Sequence, residues 1–172
     1  MHFRFNGVSE RDMDILFLEE FAVNRYFLQL FLRKIEDVDF SGYEVVSEEV
    51  SFADPDLGES DLTIDLEKEG HRVSLLIEDK INAIAQPRQY ERYVERGEKS
   101  VREDHCDVFY VFLIAPAEYI KGNESAEKYS LRVTYEECRD LFAACSDAQP
   151  IKASTTLRSN RSGQKAICES CR

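Results

Sequence analysis

The stretch Gly58-Glu59-Ser60-Asp61-Leu62-Thr63-Ile64-Asp65-Leu66-Glu67-Lys68-Glu69-Gly70-His71-Arg72-Val73-Ser74-Leu75-Leu76-Ile77-Glu78-Asp79-Lys80 decides how this chain folds. Side chains alternate across a strand with period two. In the first half Asp61, Thr63 and Asp65 therefore oppose Leu62, Ile64 and Leu66. In the second half Glu78 and Lys80 share one face, while Leu75, Ile77 and Asp79 share the other. The two halves read as a hairpin turning at Glu69-Gly70, where glycine supplies the positive φ of a tight loop. That turn sets a register in which Lys68 faces His71, Glu67 faces Arg72, Leu66 faces Val73, and Asp61 comes opposite Glu78.

Directly opposed Cβ atoms lie roughly 5 Å apart, and like charges there repel. A cation between Asp61 and Glu78 removes the penalty. Two hard carboxylates with a nearby backbone carbonyl, that of Asp79, suit Mg²⁺ or Mn²⁺. A Glu-x-Lys triplet is also a common solvated strand end. Its context sets this one apart, since it ends an apolar run beside an acid on the neighbouring strand and precedes Gln86, Gln89 and Tyr93.

Those residues resemble the PD-(D/E)XK nuclease superfamily, in particular a bacterial branch with an acid at a strand end, then Ile-Glu-x-Lys-Ile-x-Ala, then Gln-x-x-Gln-x-x-x-Tyr. Here the elements are Asp61, Ile77-Glu78-Asp79-Lys80-Ile81-Asn82-Ala83, and Gln86-Pro87-Arg88-Gln89-Tyr90-Glu91-Arg92-Tyr93. The resemblance spans about residues 10 to 115, and Ser60 stands where the superfamily's name has Pro. It implies an α/β restriction-endonuclease-like fold, a central mixed sheet flanked by helices in the order α-β-β-β-α-β. It also implies Mg²⁺-dependent hydrolysis of phosphodiester bonds, with DNA as the default polymer and defence or DNA processing as the setting. Asp61, Glu78 and the Asp79 carbonyl would hold the metal, Lys80 would act on the attacking water, and Gln89 and Tyr93 would support the site. An acid from the first helix often completes such sites. Glu20, central in the projected apolar stripe, is the first candidate, with Glu19 and Glu10 behind it. The alternatives are a non-catalytic nucleic-acid or protein-binding module on the same fold, and an acidic interaction protein in which the triplet is accidental.

The remainder of the chain fits one domain over residues 1–145. Its 172 residues, 43% hydrophobic and 33% charged, can bury a single core. A net charge of −12 runs against a basic nucleic-acid surface, although Arg88, Arg92, Arg96 and Lys99 are spaced along one side of a helix. Ser9 and Asp12 form a capping box for one long helix from about Glu10 to Ile35. A strand follows over Tyr43 to Phe52, and Glu48 or Glu49 in it lies within reach of the site's edge. A helix is expected from about Ala85 to Gly97, with Pro87 in its first turn. The apolar run Val108 to Ile114 predicts a strand buried on both faces. Leu131 to Thr134 adds a short strand, with Thr134 capping a helix to about Ala144.

Residues 146–172 carry Lys152, Arg158, Arg161, Lys165 and Arg172 against Asp147 and Glu169, with little apolar periodicity, and read as a basic tail. Cys168-Glu-Ser-Cys171 lacks the second pair that a zinc site needs, and the five cysteines are expected to be reduced thiols. No apolar run approaches the roughly 20 residues of a membrane span. The expected setting is therefore cytoplasmic, with no membrane partner, DNA as the principal partner and a homodimer admitted.

Overall fold

Glu69 and Gly70 both adopt positive φ, 51° and 84°, the conformation of a two-residue hairpin turn that matches strand twist. The computed structural model describes residues 9–54, 58–81 and 86–147. From that turn, β2 (Gly58–Lys68) and β3 (His71–Asp79) pair antiparallel in the register expected, from Lys68 opposite His71 to Leu62 opposite Ile77. β1 (Glu44–Asp54) extends the antiparallel meander on the far side of β2. β4 (Val108–Ala115) and β5 (Leu131–Thr134) add parallel to β3, giving a mixed five-stranded sheet in the order β1-β2-β3-β4-β5.

Alternation along the strands sends apolar side chains to two layers. Leu62, Ile64 and Leu66 of β2, Val73, Leu75 and Ile77 of β3, and Phe112 and Ile114 of β4 face one layer. That layer is covered by α1 (Glu10–Val23), α2 (Arg25–Leu32) and α6 (Tyr135–Asp147). Leu76, Val111, Leu113 and Ala115 face the other, covered by α3 (Gln89–Arg102), α4 (Ala117–Gly122) and α5 (Glu124–Glu127). β4 is buried on both faces only over Val111–Ala115, because Val108 to Tyr110 lie nearer the rim.

The single helix expected over residues 10–35 is two. Asn24 leaves the helical region at φ −114° and ψ 93°. Its Oδ1 accepts from the amides of Tyr26 and Phe27, which caps α2, and its amide nitrogen donates to Glu20 at 2.8 Å. A short polar side chain that satisfies orphan helix donors competes well with continuing the helix. The Ser9–Asp12 capping box opens α1. A second opens α6, where Thr134 Oγ1 accepts from the Glu137 amide at 3.1 Å and the Glu137 carboxylate accepts from the Thr134 amide at 2.8 Å.

The helix expected over residues 85–97 begins at Gln89 and runs on to Arg102. Residues 82–85 lie outside the described residues, and Arg88, just before the helix, is left-handed at φ 56°. Gly97 does not end it. A Cβ there would stand 2.1 Å from Phe109 Cδ2, so the missing side chain lets α3 lie close on β4. Among the described residues no helix is long and apolar enough to cross a membrane. Cys106, Cys138 and Cys145 are free thiols. Cys168, Cys171 and the tail from residue 148 on lie outside the described residues.

Candidate active site

Asp61 and Glu78 stand one step beyond the last paired residues, Leu62 and Ile77, at adjoining ends of β2 and β3. Strand pairing brings Asp61 to the Asp79 amide, which donates to Asp61 Oδ2 at 2.9 Å. Glu78 is only 1% exposed, and Lys80, just past the end of β3, is 7% exposed. The Lys80 ammonium forms an ion pair with Glu78 Oε1. The same oxygen accepts from Gln89 Nε2 at 2.5 Å. Glu78 Oε2 is buried with no hydrogen-bond partner.

α3 supplies the supports because Gln89 and Tyr93 are one helical turn apart and face the sheet together. The Tyr93 hydroxyl accepts from the Asp61 amide at 3.0 Å and donates to the Ile77 carbonyl at 3.3 Å, tying the ends of both strands to one helix. Asp61, Glu78, Lys80, Gln89 and Tyr93 are thus brought together. The Asp79 side chain is not. It points to the opposite layer, where the Tyr135 hydroxyl of α6 donates to it at 2.5 Å, and its part in the site is through its main chain.

Burial, followed by repulsion from Glu78, raises the Asp61 carboxyl to about 8. Burial also raises Asp79 to about 8, against the lowering effect of the Tyr135 hydrogen bond. Burial is the largest influence on Lys80 and opposes its charge, but Glu78, by charge and hydrogen bond, together with Asp61 and Glu10 outweighs it, and the ammonium is raised above its ordinary value. Among the described residues, Lys80 is the cation ion-paired with Glu78, and it has two further acids near it, Asp61 and Glu10.

Glu20 is not part of this cluster, since its carboxylate is taken by Asn24. Glu19 is exposed on α1. The first-helix acids that do reach the cluster are Glu10 and Asp14. Glu10 Oε1 accepts from the Ile81 amide at 3.0 Å, and its other oxygen lies 3.9 Å from the Lys80 ammonium. Asp14 is buried, and its carboxyl is raised to about 6, chiefly by burial. Asp14 lies three residues before Phe17, on the stripe that Phe17 and Phe21 bury, and Glu10 lies one turn further back, four before Asp14. Glu48 and Glu49 pair with Ile64 and Thr63, along β2 from Asp61.

The expected cationic side of α3 is broken. Arg96 is buried, with its guanidinium over the Tyr93 ring at 4.1 Å. Arg88 forms an ion pair with Glu95 at 2.6 Å, and Arg92 donates to Gln86.

Among the described residues, no three His, Cys, Asp or Glu side chains are grouped to hold a metal ion. The two that meet still suit a hard divalent cation. Glu78 Oε2 is an orphaned buried acceptor, and Asp61 beside it is ionised only at a cost that a cation would remove. Mg²⁺ is commonly bound by one or two carboxylates with water and substrate phosphate completing its shell, so a two-acid set is sufficient. Compared with models of known protein families and with curated proteins, the chain matches none.

Proposed function

We propose that this chain is a restriction-endonuclease-like nuclease of the PD-(D/E)XK type that hydrolyses phosphodiester bonds in DNA. The observation that carries the reading is the buried group of Asp61, Glu78 and Lys80 at adjoining strand ends, with one Glu78 oxygen left unpartnered. The element order, helices followed by three strands, a helix and a strand, is consistent with it. Asp61, Glu78 and the Asp79 carbonyl would hold Mg²⁺ or Mn²⁺. The ion would draw off negative charge as it develops on the phosphate.

The chain's own residues do the rest. Gln89 and Lys80 occupy Glu78 Oε1, which leaves Oε2 as the oxygen that would meet the cation. A recess of about 10 Å³ lined by Glu78, Lys80 and Gln89 has room for about one water. Lys80 stays protonated at neutral pH, so it acts by donating hydrogen bonds rather than by taking a proton. It orients the water for attack and stabilises charge on the phosphoryl oxygens in the transition state. Tyr93 fixes Asp61 relative to Glu78 by gripping both strands.

The rival, a non-catalytic binding module on the same fold, is favoured by a single observation: among the described residues no three His, Cys, Asp or Glu side chains are grouped to hold a metal ion. A cleavage assay on labelled single- and double-stranded DNA, with Mg²⁺, with Mn²⁺ and with EDTA, separates the two. The nuclease reading expects products with metal and none with EDTA. DNA that stays intact under every condition would favour the rival.

A further inference from the structure

The recess at Glu78 and Lys80 shares three of its lining residues with a second pocket. Gln89, Ser125 and Tyr129 line both it and an adjoining cleft of about 220 Å³ between the start of α3 and α5. The outer wall of that cleft carries two cations, Arg88 and Lys128, and a tyrosine, Tyr90. Among the described residues no acidic side chain lines it. Its two cations form exposed ion pairs, Arg88 with Glu95 at 2.6 Å and Lys128 with Glu91 at 2.7 Å. Such pairs are worth little in water, so an incoming phosphate can displace the glutamates.

Tyr90 is half-buried and braced by Tyr129, whose ring meets it edge-on at 4.9 Å and 74°. Tyr129 is itself buried. A tyrosine held at a fixed angle, partly open to a cleft and flanked by two cations, has the parts of a nucleotide site: an aromatic face for a base and two charges for the phosphates on either side of it.

We propose that this cleft binds one unpaired nucleotide next to the bond cut at Lys80, so that the substrate is single-stranded DNA or a frayed end. The ligand's identity rests on the nuclease reading, while the site rests on the cleft itself. Volume argues against a duplex. At about 220 Å³ the cleft lies below the roughly 300 Å³ where pockets for drug-sized ligands begin, so it takes one base with its sugar and phosphates outside, and not a base pair. Charge argues the same way. With Arg96 buried under Tyr93 and the chain at −12 overall, α3 offers no continuous cationic track for a duplex backbone.

The test is binding of a fluorescein-labelled thymidine oligonucleotide in EDTA, measured against salt and beside a duplex of the same length. The expected result is tighter binding of the single strand, with a log–log salt slope of about −1.4 for two phosphate contacts. Lys128→Ala should bring that slope to about −0.7. Tyr90→Ala should lose about tenfold in affinity and Tyr90→Phe should retain it. Should Tyr90→Ala fail to fold, the surface variant Lys128→Ala decides alone. Binding of the duplex as tightly as the single strand, no binding by the wild type, or an unchanged slope in Lys128→Ala overturns the proposal.

Cleavage with Mg²⁺ or Mn²⁺ is scored separately. Wild-type protein that cleaves while both alanine variants bind normally removes the subsite and leaves the nuclease reading standing. Wild-type protein that binds through Tyr90 and Lys128 and never cleaves keeps the subsite and removes the nuclease reading.

Discussion

The Tyr93 hydroxyl accepts a hydrogen bond from the Asp61 amide at 3.0 Å, so the helix that follows the Glu-x-Lys strand holds the end of the strand before it. Tyr93→Phe would leave that amide unpaired beside a buried ring. A buried donor without a partner costs about 1–3 kcal/mol. The urea midpoint should fall accordingly, and metal-dependent cleavage should fall with it because Asp61 loses its fixed position. A variant of unchanged stability and activity would show that Tyr93 is ordinary core packing.

Burial of acids at and around the site makes the metal-free protein sensitive to rising pH. Unfolded, Asp61, Asp79 and Asp14 titrate near 3.8, whereas folded they titrate at about 8, 8 and 6. Across that window the folded state holds protons the unfolded chain has released, so stability declines as pH rises. Their penalty is absent below the unfolded value and complete above the folded ones. Melting temperature in EDTA should therefore drop between about pH 5 and 8. Millimolar Mg²⁺ should raise it more at the upper end by binding the folded state. Asp61→Asn should lessen the pH trend, leaving the share of Asp79 and Asp14, and blunt the metal response. A melting curve indifferent to both pH and metal would count against a carboxylate site.

Asn24→Ala tests the break between α1 and α2. The variant loses the cap on the Tyr26 and Phe27 amides and the bond to Glu20, and should cost about 1 kcal/mol. Stability equal to wild type in chemical denaturation would mean the cap contributes nothing.

The β2–β3 hairpin was readable because period-two alternation and the Glu69-Gly70 turn leave one register that buries Leu62, Ile64 and Leu66. That register brought Asp61 to Glu78, and the turn spacing of α3 brought Gln89 and Tyr93 to them. The first-helix acid was misassigned for a physical reason. Treating residues 10–35 as one helix averaged two apolar faces and drew the stripe toward Leu16, which is 41% exposed, and Tyr26, which is 67% exposed. α1 sets Glu10, at its N-terminal end, against the Ile81 amide and Lys80, and Glu20, near its C-terminal end, against Asn24. The Arg96 side chain was hidden from spacing alone, because an arginine at a surface-like interval can still lie down over a ring. The Asp79–Tyr135 bond was equally unreadable, since it joins elements far apart in the chain.

Gly97→Ala sets two effects against each other. Alanine gains up to about 1 kcal/mol of helix propensity, but its Cβ would meet the Phe109 ring, and such overpacking costs about 1–3 kcal/mol. The clash should win, giving a lower denaturation midpoint. A more stable variant would show that Phe109 swings away freely.

The role given to Lys80 is decided by Lys80→Met, with turnover and DNA binding measured on one preparation in Mg²⁺ or Mn²⁺. Lys80 stands past the strand end and ion-pairs Glu78, while Asp61 and Glu78 would carry the metal. The variant should fold and still bind DNA, with at most one phosphate contact's loss of salt dependence, and should no longer cleave it. Full cleavage by Lys80→Met would show that Lys80 takes no part in the chemistry.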